Sequence, residues 1–318
     1  MGLISKMKKN KGLFIIALKL RKSIERLKVN RLKNFSDEQR RKYIGKLYVK
    51  RTGLRLDWNK LEAYTEKMQW IKLYDATDMK AMLTDKYSVR NWVKNKIGEE
   101  YLVPLIGVWN DFEEINFNNL PCQFVLKVTN GSGTNIIVRD KRTMDKDIAK
   151  EEIQYWMNVD KSYLKGFEMH YTKIRPKIIA EAYIDYDAED LPDYKFLCFN
   201  GKVLFCWVDV GRYHEHKRNI YDLKWNLQSW NQHTYGNAEH SINKPVGFDK
   251  MVELAEILCE GFIHVRVDFY NVNGKIYFGE MTFTNGSGFE LITPLKYNKM
   301  LGDLIELPLN YTEKYQNK

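Results

Sequence analysis

The 318-residue sequence predicts an α+β protein with a basic helical N-terminal region. Three observations lead there. Apolar residues recur at helical spacing through the first third of the chain. From Phe124 the apolar period changes to that of strands joined by Asn-Gly turns. The composition, 44% hydrophobic and 14% aromatic, is that of a chain that can bury a core rather than remain disordered.

Residues 3–33 carry Leu13, Ile16, Leu20, Ile24, Leu27 and Leu32 at three- to five-residue steps, with Lys and Arg between them. Two readings fit this basic amphipathic helix: one lying on an anionic membrane surface, the other packed on the body with a solvated basic face. Up to Arg51 there are seventeen Lys/Arg against Glu25, Asp37 and Glu38, a balance of +14; with +10 overall, the remaining residues sum to −4. The basicity belongs to the arm and not to the body, so nucleic acid is not expected as a partner. The apolar run Leu13–Leu18 falls far short of the ~20 residues of a membrane span and lacks a cleavage site, so neither a span nor a signal peptide is expected. Cys122, Cys198, Cys206 and Cys259 lack CxxC spacing, which points to reduced thiols and a cytoplasmic protein.

Ser36 is a candidate N-cap for a second helix, and residues 59–98 continue as short helices. FVLKVTNGSGTNIIVRDK then reads as strand, glycine-rich turn, strand, followed by a helix near 145–157. A strand at Lys177–Ile184 and a hairpin at Tyr194–Val208, turning at Asn200-Gly201, come next. Residues 209–246 are polar and read as an irregular lid or acceptor loop, with Arg212, Arg218 and Asn219 as candidate contacts. A helix at 249–261 leads into a hairpin from Ile263 to Phe283, and a last helix is placed near 297–305. The expected division is 1–55 basic arm, 56–120 helical lead-in, 121–190 a subdomain with a glycine-rich lid, 191–310 a metal and catalytic subdomain, and 311–318 a tail.

Several charged residues interrupt apolar strands, where a charge is costly unless paired or bound. Lys127 precedes Asn130-Gly131-Ser132-Gly133-Thr134, and a lysine beside a nest of backbone N–H groups is a phosphate cradle. Lys86 stands at a helix start, Glu181 in KIIAEAYI and Lys195 in DYKFLCF. Arg266, Asp268 and Glu280 lie in the last hairpin, and two carboxylates suit Mg²⁺ together with substrate phosphates. A two-residue turn at Asn273-Gly274 would pair residue 268 with 279 and put Asp268 and Glu280 on opposite faces. An odd loop or a bulge is therefore required for them to share a face.

The segments EKMQWIKLYDATDMKAMLTDKYSVRNWV, FVLKVTNGSGTNIIVRDK, IAEAYI, DYKFLCFNGKV and VRVDFY…YFGEMTFTNGSGF, in this order, resemble the ATP-grasp superfamily. Within it they resemble the teichuronopeptide-biosynthesis (TupA-like) branch, over roughly residues 60–295. The resemblance implies two α+β subdomains gripping ATP between them. It implies phosphate contacts from Lys86 and Lys127, a flexible lid at 130–134, and an adenine site at Glu181 with the backbone of Ala182 and Tyr183. Lys195 would face the phosphates, Arg266 would stabilise the acyl-phosphate and tetrahedral intermediate, and Asp268 and Glu280 would bind Mg²⁺ or Mn²⁺. The family usually has an asparagine two residues after the second metal glutamate; here Thr282 stands there, with Asn285 an alternative ligand.

The implied activity is that of an ATP-dependent carboxylate–amine ligase in capsule, exopolysaccharide or cell-wall polymer biosynthesis. Its substrates would be a carboxylate and an amine, with a lipid-linked glycan as a candidate acceptor and peripheral contact at the inner membrane face through the arm. Two other readings stay open: a glycosyltransferase, for which Asp185-Tyr186-Asp187 is a nominal DxD, and an ATP-grasp kinase.

Overall fold

The computed structural model describes residues 10–186, 191–211, 215–232 and 235–308. The chain forms two units that interleave in sequence, each made of three segments: 1–40, 77–89 and 103–185 in the first, and 41–76, 90–102 and 186–318 in the second. The DxD residue Asp187 and the loop residue Arg212 lie outside the described residues.

In the first unit, α1 (Lys11–Lys33) begins at Asn10, whose side chain accepts from the Leu13 amide. Ser36 opens α2 (Asp37–Thr52), most of which belongs to the second unit, with a reciprocal box: its Oγ accepts from the Gln39 amide at 3.3 Å, and Gln39 Oε1 accepts from the Ser36 amide at 2.9 Å. After α4 (Asp78–Thr84) come β1 (Leu105–Trp109), β2 (Phe124–Val128), β3 (Asn135–Val138), α6 (Lys146–Asn158), α7 (Lys161–Leu164) and β4 (Ile178–Ala182). The strands form an antiparallel sheet in the order β1-β4-β2-β3. Phe124, Leu126 and Val128 alternate onto one face and pack with Ile178, Ala180 and Ile153. The same alternation turns Lys127 to the other face.

The second unit contains α3 (Tyr64–Tyr74), most of α5 (Val89–Ile97), β5 (Asp193–Phe199), β6 (Lys202–Val210), β7 (Lys217–Asp222), β8 (Asn231–Gln232), α8 (Phe248–Cys259), β9 (His264–Val272), β10 (Lys275–Thr282), β11 (Ile292–Thr293) and α9 (Leu295–Asp303). Its main sheet is antiparallel, in the order β10-β9-β5-β6-β7, and β8 pairs separately with β11. One face of the sheet meets α8, where Phe196 packs on Phe248 and Phe269. The other face carries the charged residues.

The lid reading of 209–246 is corrected in part. Lys217–Asp222 is a buried strand paired with β6. Its central positions include Arg218 and Asn219, whose polar atoms find partners inside the protein, so the apolar alternation that marks a strand is missing. All four cysteines are free of disulfides.

The β9–β10 turn uses Asn273 and Gly274, both at positive φ (51° and 93°), as a two-residue hairpin with right-handed strand twist demands. The register is regular to Phe278↔Phe269 and then slips, so that Glu280 rather than Gly279 pairs with Asp268. This is the bulge that the sequence required. A Cβ on Gly279 would lie 3.1 Å from the Asp268 carbonyl oxygen.

Helix α3 anchors the loop after β10: Lys72 Nζ and Gln69 Nε2 donate to the Ser287 and Gly288 carbonyls at 2.9 and 2.6 Å. In turn α9 lies close against the start of α3, and a Cβ on Gly302 would collide with the Glu62 carbonyl oxygen. Gly302→Ala is expected to lower stability by roughly 1–3 kcal/mol through overpacking, read as a lower urea midpoint at unchanged slope.

Candidate active site

In the first unit, the β2–β3 connection is closed by the Val128 amide donating to the Thr134 carbonyl at 2.9 Å. Thr134 Oγ1 is also bonded inward, to the carbonyls of Val128 (2.9 Å) and Gly131 (3.1 Å). Ser132 and Gly133 are left exposed at the tip, with Gly133 at φ 69°. Lys86 follows an Asx turn, in which Asp85 Oδ1 accepts from the amides of Tyr87 and Ser88 at 2.9 and 2.7 Å. This turn and the Lys86 amide bond to the Thr129 carbonyl bring Lys86 Nζ onto the Gly131 carbonyl. Lys127 Nζ donates to Glu181 Oε2 at 2.5 Å, since Glu181 pairs with Val125 and shares its face with Lys127. Ala182 ends β4 with its amide on the Pro104 carbonyl, and Tyr183 follows the strand. Lys127, Glu181 and the 130–134 loop thus belong to one sheet and its turn, and Lys86 reaches that turn from the segment between α4 and α5.

In the second unit, a single guanidinium organises the site. Arg266 forks onto Asp268, Nε to Oδ1 and Nη2 to Oδ2, both at 2.6 Å. The same Nη2 donates to Glu280 Oε1 at 2.9 Å and to Thr282 Oγ1 at 3.1 Å. Nη1 donates to Asn285 Oδ1 at 3.0 Å. Arg266 is buried, but the carboxylates Asp268, Glu280 and Asp193 outweigh that burial and hold it protonated.

Asp268 is shared with Lys195, which faces it directly across β5–β9. Lys195 Nζ lies on Asp193, 3.2 Å from Asp268 Oδ2 and 3.7 Å from Asp209 Oδ2. Burial pulls the Asp268 carboxyl up, against the opposing pull of Arg266 and Lys195. Asp209 in turn takes the Arg218 fork, 2.7 Å from Nη2 to Oδ2, while Arg218 stacks over the rings of Trp207 and Tyr235.

Behind Arg266, Asn285 Nδ2 donates to Tyr64 Oη at 2.7 Å, and Tyr64 Oη lies 3.0 Å from His264 Nε2. His264 Nδ1 is 2.8 Å from the Cys198 carbonyl, which can only accept. The imidazole proton is therefore on Nδ1, and Nε2 accepts from Tyr64.

The oxygens of Asp268, Glu280 and Thr282 converge on one point, where Arg266 Nη2 stands. They are hard donors of the kind Mg²⁺ takes, with carboxylates on two of the three. Among the described residues, no group of three or more His, Cys, Asp or Glu is arranged as a metal centre, so any divalent ion here would depend on Thr282, Asn285 or substrate oxygens.

Sequence reasoning missed Asp193, Asp209, Tyr64 and His264. The two aspartates had a signal: Asp193 is two residues from Lys195, and Asp209 interrupts the apolar CWVDV, so both occupy the charged face of the sheet. Tyr64 and His264 had none, because both are ordinary core residue types.

The chain matches the family described as TupA-like ATPgrasp over residues 66–306. No curated protein matches it. Among solved structures it is similar to D-alanine–D-alanine ligase from Bacillus anthracis, with 19% identity, TM-score 0.36, and 64% of this chain covering 57% of that one. It is similar to the ATP-grasp ligase PsnB complexed with a minimal precursor, Mg and ADP, at 12% identity, TM-score 0.35, and 65% and 52% coverage. A RimK domain ATP-grasp protein from Sphaerobacter thermophilus gives 13% identity, TM-score 0.39, and 70% and 68% coverage. The chain thus spans less than two thirds of the length of the Bacillus anthracis ligase.

The charge cluster carries a pH signature. Burial raises the Asp209 carboxyl, but the bonds from Arg218 and His216 outweigh burial and hold it well below the usual range. A carboxyl depressed in the folded state stabilises above its unfolded value near 4 and loses that contribution as pH falls through the folded value. Arg218→Met leaves the buried Asp209 charge with only Lys195 and His216 beside it, so a deficit of up to about 3–5 kcal/mol is expected at neutral pH. That deficit should shrink toward acid as Asp209 protonates; urea unfolding at both pH values measures it, and an equal deficit at both would contradict the pairing.

Proposed function

The chain belongs to the TupA-like ATP-grasp family, and we propose that it is an ATP- and Mg²⁺-dependent carboxylate–amine ligase acting through an acyl-phosphate. The observation that carries the reading is the convergence of the Asp268, Glu280 and Thr282 oxygens beside the buried cations Arg266 and Lys195.

In the first unit, Lys86, Lys127 and the backbone of Asn130, Gly131, Ser132, Gly133 and Thr134 take the phosphates. Glu181, with the backbone of Ala182 and Tyr183, takes the adenosine. For this role Lys127 exchanges part of its bond to Glu181 for a phosphate oxygen. In the second unit, Asp268, Glu280 and either Thr282 or Asn285 hold Mg²⁺ or Mn²⁺. When bound, that ion neutralises phosphate charge.

Chemically, a substrate carboxylate oxygen bonds to the γ-phosphorus as the bond to ADP breaks. The amine nitrogen then bonds to the acyl carbon, phosphate leaves, and the nitrogen sheds a proton. Lys195 holds negative charge on the transferring group. Arg266 holds the oxyanion of the tetrahedral intermediate; for this role its Nη2 gives up its bonds to Glu280 and Thr282, whose oxygens turn to the ion. We further assign the substrates to cell-wall, capsular or exopolysaccharide polymers bearing uronic or amino acids, with a lipid-linked glycan as acceptor; the family branch supports this class.

The test is an ADP-release screen over amino acids and uronic-acid glycans. Release that requires both a carboxylate and an amine is expected, with amide product. Release without amine would replace the ligase by a kinase. Arg266→Ala is expected to lower kcat by about 10²–10³, the usual effect of losing an oxyanion donor. Glu280→Gln should raise the Mg²⁺ concentration needed for half-maximal rate. Unchanged turnover in Arg266→Ala would remove that residue from the chemistry.

A further inference from the structure

Helix α1 has two apolar faces, and among the described residues only one is covered. Phe14 and Leu18 pack with Tyr155 and Val159 in a cluster joined by Ile148, Trp156 and Leu164 of α6 and α7. Ion pairs fasten the same side: Lys11 to Asp145 and Asp147 at 3.0 and 2.7 Å, and Lys19 to Glu151 at 3.2 Å. Glu25 accepts from Tyr155 Oη at 2.5 Å. The helix is therefore held in place without help from its other face.

On that other face Leu13, Ile16, Leu20, Ile24 and Leu27 are 51%, 57%, 61%, 65% and 72% exposed. At 100° per residue they form a row centred about 150° round the helix from the buried residues, and about 21 Å long. Single exposed aliphatics are ordinary, but a continuous row on a docked helix marks an interaction surface.

The charge says which partner. Within Lys11–Lys33 there are eight Lys/Arg and one acid, and that acid, Glu25, is engaged by Arg21 and Tyr155. Lys28 and Arg31 are exposed at the margin and the end of the row. Pairing two copies through this row would bring like charges together, which is unfavourable. A bilayer with anionic headgroups accepts both features: acyl chains take the row, and headgroups take the flanking cations. No described helix is long and apolar enough to cross a membrane.

We propose that the outer face of α1 docks the protein onto an anionic lipid surface. The body stays outside the bilayer, tethered through α6 and α7.

Flotation of the full chain with vesicles tests this, using phosphatidylcholine alone and phosphatidylcholine doped with phosphatidylglycerol. Binding is expected to the doped vesicles, weakening with salt. Leu20→Glu with Ile24→Glu should reduce it by about tenfold or more. Leu20→Ser with Ile24→Ser should reduce it without adding negative charge. Lys28→Glu with Arg31→Glu should reduce it by about fivefold per site. These positions are exposed, so unfolding midpoints should match the parent. Failure to float on doped vesicles, equal binding to neutral ones, or a stripe variant that floats like the parent overturns the proposal. So does a dimer in light scattering that the serine pair converts to monomer.

Discussion

Everything on the charged face of the second unit depends on the Arg266 guanidinium and the oxygens around it. One planar fork binds Asp268 with two bonds and reaches Glu280, Thr282 and Asn285 with the remaining donors. A buried ion pair of this kind adds little to stability, because desolvation offsets most of the Coulombic gain. Removing one member is a different matter, since the partner is left as an unpaired buried charge. The arrangement is thus tolerated rather than favoured by the fold. Its worth lies in holding several oxygens at one point, on a rigid sheet, where a cation belongs.

The sheet makes that convergence possible. Pairing of β5 with β9 sets Lys195 opposite Asp268, and pairing of β5 with β6 sets Asp193 opposite Asp209. Pairing of β6 with β7 adds Arg218 opposite Asp209. Since side chains alternate, these residues share one face while Phe196 and Phe269 fill the other against α8. The bulge at Gly279 interrupts the alternation along β10, and it turns Glu280 to the face of Asp268. Asn285 then carries the network to Tyr64 and His264, so α3 and the loop after β10 orient Arg266 from behind.

Much of this was legible in the sequence. Ser36 as a cap, the Asn-Gly turns at 200–201 and 273–274, and the period change at Phe124 are local signals, and local physics produces them. Lys127, Glu181, Lys195, Arg266, Asp268 and Glu280 stood out because charge in an apolar strand demands a partner. The β7 strand did not stand out. Its buried positions include Arg218 and Asn219, which Asp209 and Tyr221 satisfy, so polar residues stand where a buried strand would otherwise show apolar ones. The N-terminal arm showed a further limit. Its apolar residues read as one stripe, whereas Leu32 lies on the buried side and the row from Leu13 to Leu27 on the exposed one.

By itself the sequence determined the α+β class, the order of elements and the short list of charged residues able to do chemistry. These follow from periodicity, turn chemistry and the cost of burying charge, all of which act over a few residues. Only the tertiary structure decided which charges meet. It paired Lys127 with Glu181, gathered Asp193, Asp209 and Asp268 around Lys195, and set Arg266 at the focus of the oxygens. Such meetings depend on strand order and register between segments as much as 73 residues apart, as for Lys195 and Asp268. A one-residue slip reverses a face, so no local pattern could encode the outcome.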